Sequence, residues 1–156
     1  MIIWLVRLVL NFRRMVASDY APRQLALGCT LGLVMGLVPK GNLLAVAIAI
    51  VVLSLRLNLV SAMLSTLVFS FVGPWLDPIT HRIGFALLGN ESLTSFWTTV
   101  YQYPLIPWTY FNNTVVFGSL VLGVAISGPF YFLSKATFGR LRRSMASTRD
   151  PVVAPN

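Results

Sequence analysis

Five residues in this chain set a polar or charged side chain in or beside apolar segments: Lys40, Asn42, Asp77, His81 and Arg82. Lys40 is the sole charge in the run from Leu25 to Leu55. Ionisable groups inside apolar segments are candidates for function, because an unpaired charge at a bilayer centre costs about 2.5–3.5 kcal/mol on the lenient insertion scale. Two chemistries suit the set. One is an embedded enzyme using Lys40, Asp77 and His81. The other is a polar centre that meets a lipid headgroup or the polar surface of a partner. The enzyme reading lacks its usual parts: there is no Ser nucleophile matched to a base, no HExxH and no paired-carboxylate motif. Cys29 is the single cysteine, so neither a disulfide framework nor a cysteine metal cluster is available. No catalytic residue, metal ligand or cofactor is therefore assigned.

The elements that would position these residues are short and interrupted. Pro39-Lys40-Gly41-Asn42 divides one long apolar run, since Pro removes a donor, Gly adds backbone freedom and Asn is a favoured helix N-cap. The halves, Gln24–Val38 and Asn42–Leu55, are each about 21–23 Å long at about 1.5 Å per residue, short of a bilayer core of about 30 Å. A second unit repeats the plan: Leu59–Val72, a break at Gly73-Pro74-Trp75-Leu76-Asp77-Pro78, then a short helix Pro78–Gly89 with Asp77 as its N-cap. Pro39 and Pro74 stand 35 positions apart, and paired interruptions point to a midplane site in transport proteins. Lys40 and Asp77, with opposite signs at equivalent breaks, would pair if the breaks meet; otherwise Lys40 snorkels to an interface and Asp77 only caps.

Gly28, Gly32 and Gly36 recur every four residues and form a smooth face for close helix packing in lipid; Gly123 does the same between Ser119 and Ser127. Packing within the chain is favoured over dimerisation, with a homo-oligomer as the other outcome. Residues 90–113 are rich in aromatics and read as an interfacial amphipathic helix followed by a Pro104–Pro107 turn. Asn113–Ser134 is a charge-free stretch long enough for a full span.

Composition agrees: 56% hydrophobic, 10% charged, mean hydropathy +0.78. The net charge of +8 is concentrated at the two ends of the chain, which suits lipid headgroups better than nucleic acid. The expected organisation is an interfacial amphipathic helix at 1–17, a membrane domain at 18–138 and a basic, disordered cytoplasmic tail at 139–156. The fold class is all-α integral membrane protein, with two interrupted short-helix pairs, an aromatic interfacial helix and one C-terminal transmembrane helix.

Pro22…Gly28…Gly32…Gly36-Leu-Val-Pro39-Lys40-Gly41-Asn42, then Leu55-Arg56-Leu57-Asn58, Asp77-Pro78…His81-Arg82 and Phe111-Asn112-Asn113-Thr114, together resemble a bacterial membrane family, domain of unknown function 2062, across about residues 18–138. The Pro-Lys-Gly-Asn form is similar to one subfamily. That resemblance implies genes beside large proteins of the AsmA-like, envelope-bridging type. The expected role is thus a non-enzymatic inner-membrane protein that contacts lipid and partners such a protein in lipid or amphiphile traffic. The alternative is a small transporter or channel with its polar site at the two breaks.

Overall fold

The computed structural model describes residues 21–149, and among these all regular structure is helical. The expected helix at 1–17 and residues 150–156 lie outside the described residues. Helix α1 is Pro22–Leu37, α2 is Leu43–Ser54, α3 is Leu59–Leu88, α4 is Thr94–Tyr101 and α5 is Thr114–Arg149. At about 1.5 Å per residue, α1 and α2 reach roughly 24 and 18 Å, whereas α3 and α5 reach roughly 45 and 54 Å. The long pair is apolar enough to cross a membrane, and little of each is covered by protein: 22% and 28% of their apolar windows are buried. Met63, Phe71 and Trp75 are 72%, 70% and 85% exposed. An exposed apolar surface of that kind suits contact with lipid or with a protein partner better than water.

Three helices make the core. On α1, Gly28 lies against Asn58 and Ser61, Gly32 against Ala62 and Ser65, and Gly36 against Thr66 and Phe69. Both sets of numbers rise together, so α1 and α3 run parallel. A Cβ on any of the three glycines would enter the opposite backbone or side chain. The expected packing face is thus within the chain, against α3. Helix α5 runs the other way: Thr114 meets Gly84, Gly118 meets Thr80, Phe130 stacks edge-on against Phe69 at 5.5 Å, and Phe138 packs with Leu25 and Ala26. Gly123 lies 3.4 Å from the Val34 Cα, counted from the position its Cβ would take.

Two expectations need correction. The break at Gly73–Pro78 is absent: α3 is continuous through Pro74 and Pro78. Proline disrupts helices in water, but in apolar surroundings a helix remains the cheapest way to pair the rest of the backbone. Gly73 is there for close approach, 3.6 Å from the Leu37 carbonyl oxygen as measured from a built Cβ, and not for flexibility. Nor do residues 139–149 form a disordered tail, because α5 runs to Arg149. Extending an existing helix costs little per residue, and Met145 packs on the Leu25–Phe138 cluster.

Adding one methyl group tests this packing. Gly32→Ala and Gly118→Ala should each lose about 1–3 kcal/mol, the usual cost of overpacking a filled interface. Gly128→Ala, with nothing within 4 Å, should be neutral or gain about 0.5–1 kcal/mol from helix propensity. Melting temperatures in one detergent would compare the three.

Candidate functional site

The α1–α2 turn is where the expected polar residues gather. Pro39 follows the end of α1, and the carbonyls of that helix's last turn need donors. Val38 N–H takes the Val34 carbonyl at 3.3 Å. The Lys40 ammonium folds back and donates to Met35, Gly36 and Val38 oxygens at 2.8, 2.8 and 3.0 Å. All three of its hydrogens are used, so the Lys40 side chain caps the C-terminal end of α1, whose C-cap residue is Val38. Gly41 sits at φ +94°, a left-handed conformation that glycine takes without strain. Asn42 then works in both directions: its Oδ1 accepts from Ala45 N–H at 2.8 Å, capping α2, and its Nδ2 donates to Pro39 at 2.8 Å.

The same device closes the opposite end of the hairpin. Asn58 Oδ1 accepts from Ser61 N–H at 2.8 Å, and Ser61 Oγ donates to the Asn58 carbonyl at 2.7 Å. One turn on, Ser65 Oγ donates to the Cys29 carbonyl at 2.6 Å and ties α3 to α1.

Asp77, His81 and Arg82 are elsewhere. Asp77 is inside α3 and does not cap it; its carbonyl accepts from Thr80 Oγ1 at 3.1 Å. It does not receive Lys40, whose donors are spent on α1. His81 Nδ1 meets Thr114 Oγ1 at 2.6 Å, joining α3 to the first turn of α5, and Arg82 is exposed. The five-residue polar centre therefore separates into a hairpin cap (Lys40, Asn42) and an α3–α5 contact near the far end (His81). Beside that contact is a packing node that sequence reasoning missed. Thr80, Gly84, Thr114 and Gly118 bring two backbones together. Its signal was present as two small-xxx-small pairs, Thr80/Gly84 and Thr114/Gly118.

Residues 89–113 form a cap over this end. Of the aromatic stretch 90–113, only Thr94–Tyr101 is α-helical (α4), entered through a 3₁₀ turn at Glu91–Leu93. Trp97 stacks with Phe96, Phe111 and Phe117, at centroid distances of 4.8, 5.5 and 5.3 Å, and donates Nε1–H to Leu87 at 3.0 Å. A second 3₁₀ turn, Pro107–Thr109, follows, with Tyr110 left-handed at φ 54°. This segment brings Leu105, Trp108 and Tyr110 beside the hairpin tip, and together with Met35, Lys40, Asn42 and the α2 residues Ala45, Val46 and Ala49 they line a groove of about 780 Å³. Among the described residues no three His, Cys, Asp or Glu side chains gather as a metal site would require.

If Lys40 and Asp77 act separately, a charge-swap cycle reads as additive. Lys40→Asp should destabilise and Asp77→Lys should have its own smaller effect, with the double variant within about 0.5 kcal/mol of their sum. Recovery in the double swap would show that the two charges sense each other.

A protein from Treponema pallidum (strain Nichols), described as uncharacterized, is 28% identical over 131 residues, covering 84% of this chain and 81% of that protein. No solved structure matches. The sequence pattern of the family described as "uncharacterized protein conserved in bacteria (DUF2062)" matches residues 7–146, which takes in every helix from α1 to α4 and nearly all of α5. The chain belongs to the DUF2062 family of bacterial proteins.

Proposed function

We propose that this chain is a multi-pass protein of the bacterial inner membrane, without catalysis of its own, that partners an AsmA-like envelope-bridging protein in lipid or amphiphile traffic. The observation that carries its placement is the excess of positive charge at one end, with Arg82 the one described arginine toward the other. Arg23 opens α1, Arg56 lies in the α2–α3 turn, and Lys135, Arg140, Arg142 and Arg143 lie on the half of α5 that packs beside Leu25. All six are at one end of the bundle. Positive residues favour the cytoplasmic side, so that end and the C-terminus face the cytoplasm. Helix α3 then runs outward, the aromatic cap rests at the outer interface, α5 returns, and α1–α2 is a re-entrant hairpin entered from the cytoplasm.

A supporting role without chemistry is favoured by the bonds the polar side chains already make. Lys40, Asn42 and Asn58 close helix ends, and His81 joins two helices. The AsmA-like partner is drawn from the gene neighbourhood implied by the family resemblance. The transporter alternative leaned on two matching breaks, and the continuity of α3 removes one of them.

Two measurements test this. In a Cys29→Ser background, single cysteines at Ser95 and Ser147 should label from opposite sides of the membrane; labelling from the same side would reject the topology. The tagged chain, solubilised gently from its own bacterium, should retain a large AsmA-like protein identified by mass spectrometry. Solute or lipid flux by the isolated chain in liposomes, with no such protein retained, would favour the transporter.

A further inference from the structure

We propose that the groove at the hairpin tip holds one anionic phospholipid, with its phosphate at the Lys40 end and an acyl chain along α2. The inference rests on the membrane placement argued above, and it names the ligand chemistry of one site. Ala45 and Ala49 lie one helical turn apart, with Val46 beside them, and give α2 a shallow apolar trough. Leu105 and Trp108 supply the facing wall. The groove's volume, about 780 Å³, falls within the range of about 300–1,000 Å³ typical of small-ligand sites.

Charge selects the headgroup. Lys40 is the single charged residue of the lining, and no carboxylate accompanies it. The α1 carbonyls that hold its ammonium carry only the partial negative charge of a helix end, about −0.5, so net positive charge remains at the mouth. Lys40 has no hydrogen left to give, but two neighbours do. Trp108 is 71% and Tyr110 56% exposed, and neither the Trp108 Nε1–H nor the Tyr110 hydroxyl has a hydrogen-bond partner among the described residues. Such side chains place an apolar ring in lipid and a polar tip among headgroups. Each group contributes one part of the recognition. Lys40 supplies charge, Trp108 and Tyr110 donate hydrogen bonds to phosphate oxygens, and α2 gives apolar contact.

The test uses the full chain, delipidated in a non-ionic detergent and titrated with phosphatidylglycerol or phosphatidylcholine, with bound lipid counted by native mass spectrometry. One phosphatidylglycerol should bind in preference to phosphatidylcholine. Lys40→Gln should weaken phosphatidylglycerol about fivefold, the effect of one lysine near an anionic surface, and leave phosphatidylcholine unchanged. Val46→Trp fills the trough from an exposed position that makes no contact in the Lys40 cap, and should weaken both lipids. If Lys40→Gln lowers the melting temperature, Val46→Trp decides alone. Wild-type binding of phosphatidylglycerol by Val46→Trp, or by a folded Lys40→Gln, overturns the site, as does equal affinity for the two lipids. Lys40-dependent capture of inorganic phosphate that displaces the lipid would assign the groove to a free anion and also overturn it. Since the isolated chain is used, failure to find an AsmA-like partner does not bear on this result, and failure here leaves the partner reading intact.

Discussion

The close approach of α1 to α3 holds the rest of the structure in place. Helix α1 is too short to be retained by spanning a bilayer, and in lipid no hydrophobic gain rewards one helix for touching another. What remains is van der Waals contact at backbone distance and hydrogen bonds between helices. Gly28, Gly32 and Gly36 supply the first by presenting no side chain to Asn58, Ser61, Ala62, Ser65 and Phe69. Ser65 supplies the second by reaching the Cys29 carbonyl. Parallel alignment follows from this contact, and the connection between two parallel neighbours must return the chain to the starting end. Helix α2 is that return, which is why it can be apolar on nearly every side and largely uncovered.

A half-length hairpin creates a second demand. Its tip exposes the end of one helix and the start of the next at a level where α3 is still surrounded by apolar side chains; Gly73 lies directly beside Leu37. Lys40 and Asn42 meet that demand with their own side chains. A lysine whose three hydrogens go to carbonyls of the preceding turn is structural in its bonding, yet it keeps its charge, and that combination separates it from an ordinary cap such as Asn58. The lipid site proposed at the tip draws on the charge and leaves the bonds in place.

The parts of this fold that were legible in the sequence are those governed by one residue acting locally. Pro39 stops a helix, Asn42 starts one, and glycines at four-residue spacing mark a packing face; each holds in the structure. The parts that were not legible depend on what surrounds a residue. Pro74 and Pro78 look like Pro39 by type, but Pro39 is followed by a glycine at positive φ and an N-cap, whereas Pro74 and Pro78 are followed by residues that continue the helix. Gly73 beside Pro74 reads as part of a helix break, and only the position of Leu37 reveals it as a contact point. Lys40 and Asp77 invited pairing through opposite signs at like positions. Which acceptors lie within reach of an ammonium is a matter of backbone geometry, and charge alone does not disclose it. The groove could not be read from the sequence either, because its two walls are more than fifty residues apart in the chain.

The same unequal helix lengths explain where that groove must form. Near the basic end, α1, α2, α3 and α5 are all present. Past the hairpin tip only α3 and α5 continue, crossing closely at Gly84 and Gly118. The space above the tip is filled by the segment that joins them, which places the Trp97–Phe111–Phe117 stack against the far end and lowers Leu105, Trp108 and Tyr110 to meet α2. A helix pair running the full length would pack side chain into side chain along this line. Here two unlike pieces abut, a helix start held by Asn42 and a 3₁₀ turn ending in a left-handed tyrosine. Such a seam does not close to the density of a helix interface. It leaves an apolar trough with a cation at its mouth and two donors that have no partner among the described residues, the chemical pattern on which the proposed lipid site rests.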